Sequence, residues 1–88
     1  MPIELNISNS LFLEDFAKDL DRMPALDREN VRKYLRQILE GKRKANIKKL
    51  RNYPLVRYRL RIANYRLLFN FKNGKAVFIY CKNRRDLY

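Results

Sequence analysis

Arg57, Arg59 and Arg61 occupy alternate positions, interleaved with Val56, Tyr58, Leu60 and Ile62. Strand side chains point to opposite faces with period two, so this spacing predicts one apolar face and one face carrying three guanidiniums. Arg66 follows in the next apolar run, and Lys82, Arg84, Arg85 and Tyr88 gather at the end of the chain. There is no histidine, a single cysteine (Cys81) and no glycine-rich phosphate loop. A Cys–His pair and a His/Cys metal site are therefore not expected, and no cofactor is. Arginine, lysine and tyrosine are poor at moving protons at neutral pH. They are good at gripping phosphate oxygens and at stabilising the extra negative charge of a pentacoordinate transition state. RNA carries its own nucleophile, the 2′-OH. A site that aligns this hydroxyl with the neighbouring phosphate needs neither a metal ion nor a water nucleophile, so RNA is the expected anion.

The charge is placed as unevenly as it is large. Of a net +12, residues 1–41 contribute eight acids and six bases, whereas residues 42–88 contribute fifteen bases and one acid, Asp86. Such a split marks the second half as the footprint of a polyanion. Solvated lysines alone would not require arginines aligned on one strand face. With 47 % apolar residues the 88-residue chain is expected to fold as a single domain, 1–88, with one modest core. It opens without a basic, apolar leader and contains no run long enough to cross a membrane. The lone cysteine fits a reducing cytoplasm.

The elements that must hold these cations follow from periodicity. Ile3, Leu5 and Ile7 alternate with polar residues and predict a short first strand. Ser8, Asn9 or Ser10 then offers a cap for a helix over about residues 10–22, with Leu13, Phe16, Ala17 and Leu20 on one face. Pro24 ends it. Asp27 predicts the next N-cap, Leu26 a hydrophobic staple onto Val31, and Val31, Tyr34, Leu35, Ile38 and Leu39 the apolar stripe. Gly41 suits the position just past the helix end. Residues 42–51 read as a basic connector in which Lys48, Lys49 and Arg51 attract RNA. Three antiparallel strands follow, entered at Pro54 and spanning about 55–62, 65–72 and 75–82, with Asn73-Gly74 as a two-residue hairpin. That turn predicts Phe69 opposite Phe78, Leu68 opposite Ile79, Leu67 opposite Tyr80 and Arg66 opposite Cys81. The expected fold is a two-layer α+β sandwich in the order β-α-α-β-β-β, its helical hairpin on the apolar face and the first strand along one edge.

Lys49-Leu50-Arg51, Tyr58-Arg59-Leu60-Arg61, Asn64-Tyr65-Arg66-Leu67-Leu68-Phe69 and Arg84-Arg85-Asp86-Leu87-Tyr88 together resemble the RelE branch of the RelE/ParE toxin superfamily. The similarity in order and spacing runs through the whole chain. It implies the toxin of a type II toxin–antitoxin system, a ribosome-dependent, metal-independent endoribonuclease that cuts messenger RNA in the A site and thereby inhibits translation. It also implies an acidic, RelB-like antitoxin and a toxin–antitoxin hetero-oligomer. Carried over by position, Arg57 and Arg59 flank the scissile phosphate, Arg66 stabilises it, Lys82 or Arg84 is the general acid, and Tyr88 orients the neighbouring base. Arg61 and Arg85 are further expected RNA contacts. Arg59 departs from the pattern, because relatives usually carry a lysine there as general base and a guanidinium stays protonated. Lys82 or Tyr88 then serves as base, or catalysis rests on alignment and electrostatics. The alternatives are a ParE-type toxin acting on DNA gyrase and a nucleic-acid-binding domain without toxic action.

Overall fold

A computed structural model describes residues 5–51, 53 and 55–86. Ile3, Pro54 and Tyr88, on which the sequence reading drew, lie outside the described residues. Two helices, α1 (Glu14–Asp21) and α2 (Ala25–Leu39), and five strands, β1 (Ser10–Phe12), β2 (Ile47–Lys49), β3 (Tyr58–Ile62), β4 (Tyr65–Lys72) and β5 (Lys75–Asn83), make up the α+β fold. The sheet runs β1-β5-β4-β3-β2. It is mixed: β1 pairs parallel to β5, and the other pairings are antiparallel.

Five expectations about where elements begin and end require correction. The first strand is Ser10–Phe12 and not the Leu5–Ile7 stretch, because residues 7–9 form a 3-10 turn. There the Asn6 side chain accepts the Asn9 N–H at 2.9 Å, and the Asn9 side chain accepts the Asn6 N–H at 3.0 Å. Local bonds of this kind compete with an extended backbone. Helix α1 accordingly starts at Glu14, past Ser10 and with no side-chain cap. Asp27 is not the N-cap: Pro24, with φ fixed at −52°, starts α2 three residues sooner, and Leu26 is 69 % exposed rather than stapled. The basic connector contains a strand, β2, whose Ile47 packs on the core. The strand expected from Leu55 begins at Tyr58.

The Asn73-Gly74 hairpin forms with both residues at positive φ, +53° and +76°, as a type I′ turn requires. Phe69 faces Phe78 as expected, but beyond that pair the register slips by one. A bulge leaves Ile79 without a partner, so Leu68 meets Tyr80, Leu67 meets Cys81 and Arg66 meets Lys82. Gly41 closes α2 at φ +76°, with Gly41 N–H donating to the Ile38 carbonyl and Lys42 N–H to that of Gln37, a Schellman motif.

The core lies between the helices and one face of the sheet. Phe16, Leu20, Val31, Leu35, Ile38 and Leu39 from the helices cluster with Leu60, Ile62, Leu67, Phe69, Phe78 and Cys81. Of the predicted stripes, Leu13, Ala17 and Tyr34 stay exposed. The Arg43 guanidinium covers the Tyr34 ring at 4.1 Å. Rings of Phe12, Phe16, Phe78, Phe69 and Tyr58 pack in sequence with centroids 5.0–5.7 Å apart, within the favourable range for aromatic pairs.

Candidate functional site

With Leu60, Leu67 and Cys81 turned into the core, strand alternation puts Arg59, Arg61, Arg66 and Lys82 on the face away from the helices. Two rows cross the strands there. One runs Lys48, Arg59, Leu68, Tyr80, and the next runs Arg61, Arg66, Lys82. Like charges directly opposite each other destabilise a sheet, and the second row is three cations long. Such a row is tolerable where an anion sits over it.

The geometry at the end of this row is a cleft of about 510 Å³ lined by Arg61, Arg66, Arg84 and Arg85. Its walls are drawn together by two turns. Ala63 and Asn64 join β3 to β4, with Ala63 at φ +53°, and the Asn64 carbonyl accepts the Arg84 N–H at 2.7 Å. This bond docks the 3-10 turn Arg84–Asp86 against the β3–β4 corner. Arg85 N–H donates to Asn83 Oδ1 at 3.1 Å, fixing the start of that turn. Arg66 is only 5 % exposed, and its Nη1 donates to the carbonyls of Ala63 (3.3 Å) and Tyr65 (3.2 Å). Arg66 therefore forms the buried floor, and the exposed Arg61, Arg84 and Arg85 form the rim.

The other predicted residues fall elsewhere. Arg59 lies in the adjacent row, half-buried, and its Nη1 is enclosed with no hydrogen-bond partner among the described residues. Lys48 stands opposite Arg59 on the same face. Lys49 is opposite Tyr58, which packs on the core, so it belongs to the helix side. Arg51 and Arg57 are exposed on the segment between β2 and β3. Lys82, opposite Arg66 in the ladder, sends its ammonium elsewhere: Nζ lies 3.2 Å from Oδ1 of Asp19 on α1.

Two positioning residues escaped sequence reading. Extending the register would pair Arg57 with Asn70, but there the ladder stops and the Asn70 amide takes over. Its Oδ1 accepts the Arg57 N–H at 2.7 Å and its Nδ2 donates to the Leu55 carbonyl at 3.0 Å, holding the basic loop to the sheet. Asp19 is the second, and it had a signal: it lies three residues past Phe16 and next to Leu20, on the buried side of α1.

Cys81 is a packing residue. Burial, then the nearby Asp19 charge, pushes its thiol up to about 12, so it is no nucleophile at neutral pH. Tyr65 is likewise raised, by burial and then by its 2.7 Å bond to Asp27 Oδ2. Among the described residues no helix is long and apolar enough to cross a membrane.

No protein-family model matches the chain, and no curated protein sequence does. Solved structures do. The chain is similar to the RelB–RelE antitoxin–toxin complex of Methanococcus jannaschii, with 26 % identity, TM-score 0.66, and 89 % of this chain and 94 % of that one covered. It is similar to RelBE2 of Mycobacterium tuberculosis, with 21 % identity, TM-score 0.64, and 86 % and 96 % covered. A RelE–RelB complex of Pyrococcus horikoshii matches at 22 % identity and TM-score 0.59, with 92 % and 96 % covered.

Proposed function

From a chain with the fold of RelE-type toxins, we propose a toxin of a toxin–antitoxin pair that cuts messenger RNA in the ribosomal A site. The observation that carries this reading is the cleft of four guanidiniums, Arg61, Arg66, Arg84 and Arg85, at the end of a row of like charges. Guanidiniums bind phosphate oxygens in a planar, two-pronged fashion that lysine cannot reproduce. The orphaned Nη1 of Arg59, in the next row, supports an acceptor arriving from the ligand.

The 2′-oxygen attacks the adjacent phosphorus, the P–O5′ bond breaks, and the products are a 2′,3′-cyclic phosphate and a 5′-OH. Arg66, held by two carbonyls, fixes the phosphate, and the rim arginines meet the charge that grows on its oxygens. Of the two candidate general acids it is Arg84 that borders the cleft, while Lys82 is ion-paired with Asp19. Among the described residues that line the cleft none accepts a proton, since all four are arginines. The proton of the 2′-OH leaves to water, to Tyr88 or to a group that the ribosome supplies, and the leaving 5′-oxygen is protonated from the same pool. The antitoxin is acidic and neutralises the cation rows, so that the toxin is held as a hetero-oligomer until the antitoxin is lost.

The test is an extract programmed with one message whose 5′ ends are mapped. Cuts inside A-site codons that disappear with Arg66→Ala are expected. Intact message together with inhibited DNA supercoiling would overturn the reading in favour of a gyrase-directed toxin.

A further inference from the structure

The cation row contains one member that the cleft lacks. Lys82 faces Arg66 in the ladder, yet the cleft is bordered by Arg61, Arg66, Arg84 and Arg85. Its ammonium reaches round the sheet edge to Asp19, passing 5.2 Å from the centre of the Tyr80 ring. This edge is open because β1 pairs with β5 only as far as Phe78. Asp19 fills the gap: its side chain is 8 % exposed, one oxygen accepts the Cys81 N–H at 2.9 Å, and the other holds Lys82.

We propose that Asp19 is a positioning residue that parks Lys82 at the sheet edge, and that a phosphate entering the cleft draws the ammonium off to become its fifth cation. The inference rests on the RNA-binding reading of the cleft. With the cleft empty, Lys82 extended over its own row would face Arg66 as a like charge, which is unfavourable. A phosphate there reverses the sign of that interaction. The competing hold is a partly exposed ion pair, weak enough to exchange, on a lysine stem with four rotatable carbons. The cleft occupant therefore selects between two positions of one side chain, and the hold of Asp19 on Lys82 opposes RNA binding.

The experiment measures binding of a short single-stranded RNA oligonucleotide to the full chain as a function of salt. Asp19→Asn keeps an acceptor for Cys81 N–H and removes the charge that holds Lys82. It is expected to tighten binding roughly two- to fivefold, the upper range for an ion pair that is open to water on its lysine side. That gain must vanish when Lys82→Gln is added. A gain that survives Lys82→Gln is long-range electrostatics only and overturns the inference, as does a folded Asp19→Asn protein with unchanged affinity. Lys82→Gln alone provides an arm that does not depend on Asp19→Asn folding. It should lower the slope of log affinity against log salt by about 0.7, one single-strand phosphate contact, and an unchanged slope overturns the inference. Loss of binding in Arg66→Ala with additive effects of the other two substitutions leaves the cleft reading standing and sinks this one alone. A wild type that binds no RNA overturns this inference, and the A-site cleavage test then decides the reading of the cleft by itself.

Discussion

On the helix-covered side of the sheet, Phe16, Phe69 and Phe78 are wholly buried and each touches another ring of the same stack. On the other side, Arg61, Arg66 and Lys82 stand in register across three strands with like charges facing. The first surface is complete within the chain and stabilises it. The second carries its charges among polar partners, including two carbonyls at Arg66 and a carboxylate at Lys82. One sheet thus carries an aromatic core on one side and a row of like charges on the other.

That contrast can be broken most forcefully from the covered side. Phe78→Ala, by opening a cavity amid Phe12, Phe16 and Phe69, is expected to cost about 3–5 kcal/mol of stability in a urea titration, a large part of what so small a domain has. From the open side the expected result is the reverse. Arg66→Ala should reduce message cleavage by about 10²–10³-fold, the usual effect of losing one donor to a developing anion, while the urea midpoint moves little. A large fall in the midpoint would show that Arg66 serves the fold and not the ligand. Asn70→Ala sits at the border of the two. It removes two bonds to the loop that carries Arg57, each worth about 0.5–1.5 kcal/mol, and hydrogen exchange should show faster opening of the loop backbone around Leu55–Arg57.

The smallest expected effect is on pH dependence. Cys81 and Tyr65 are both raised in the folded chain above their ordinary values of 9.0 and 10.0. Their neutral forms are the ones the fold favours, so this contribution is fully present below pH 9 and is lost as pH rises toward about 12. Stability followed by thermal unfolding should decline above pH 9, with Cys81 alone accounting for on the order of 1 kcal/mol by pH 10. A flat profile between pH 9 and 10 would contradict the burial of that thiol.

Sequence was most readable where one residue type decides the backbone. Asn73-Gly74 decided the hairpin, Gly41 the helix end, and the alternation through Tyr58–Ile62 the two faces of β3. It was least readable where a choice is settled by distant partners. Nothing in Ser10–Phe12 marks it as the strand, because its pairing depends on β5, more than sixty residues away. Asp27 has the chemistry of a cap, but Pro24 had already begun the helix and the carboxylate went to Tyr65 instead. Of the four arginines around the candidate cleft, Arg61 was named from its spacing, and Arg66, Arg84 and Arg85 lie in the segments that resemble RelE toxins. The cleft they form could not be read in this way, since it depends on the Asn64 carbonyl catching the Arg84 N–H.

The unpaired Ile79 gives linear counting and spatial position different origins on the last strand. Counted from the hairpin, the residue across from Arg66 would be Cys81, a small thiol; in space it is Lys82, and the thiol takes the packed interior. Exchanging these two neighbours would leave composition and charge untouched while forcing an ammonium among Leu67 and its companions, where an unpaired charge costs several kcal/mol. Any comparison of hairpins of different length in this fold must therefore be phased from the far side of the kink, by which residue turns inward, and not from the turn itself.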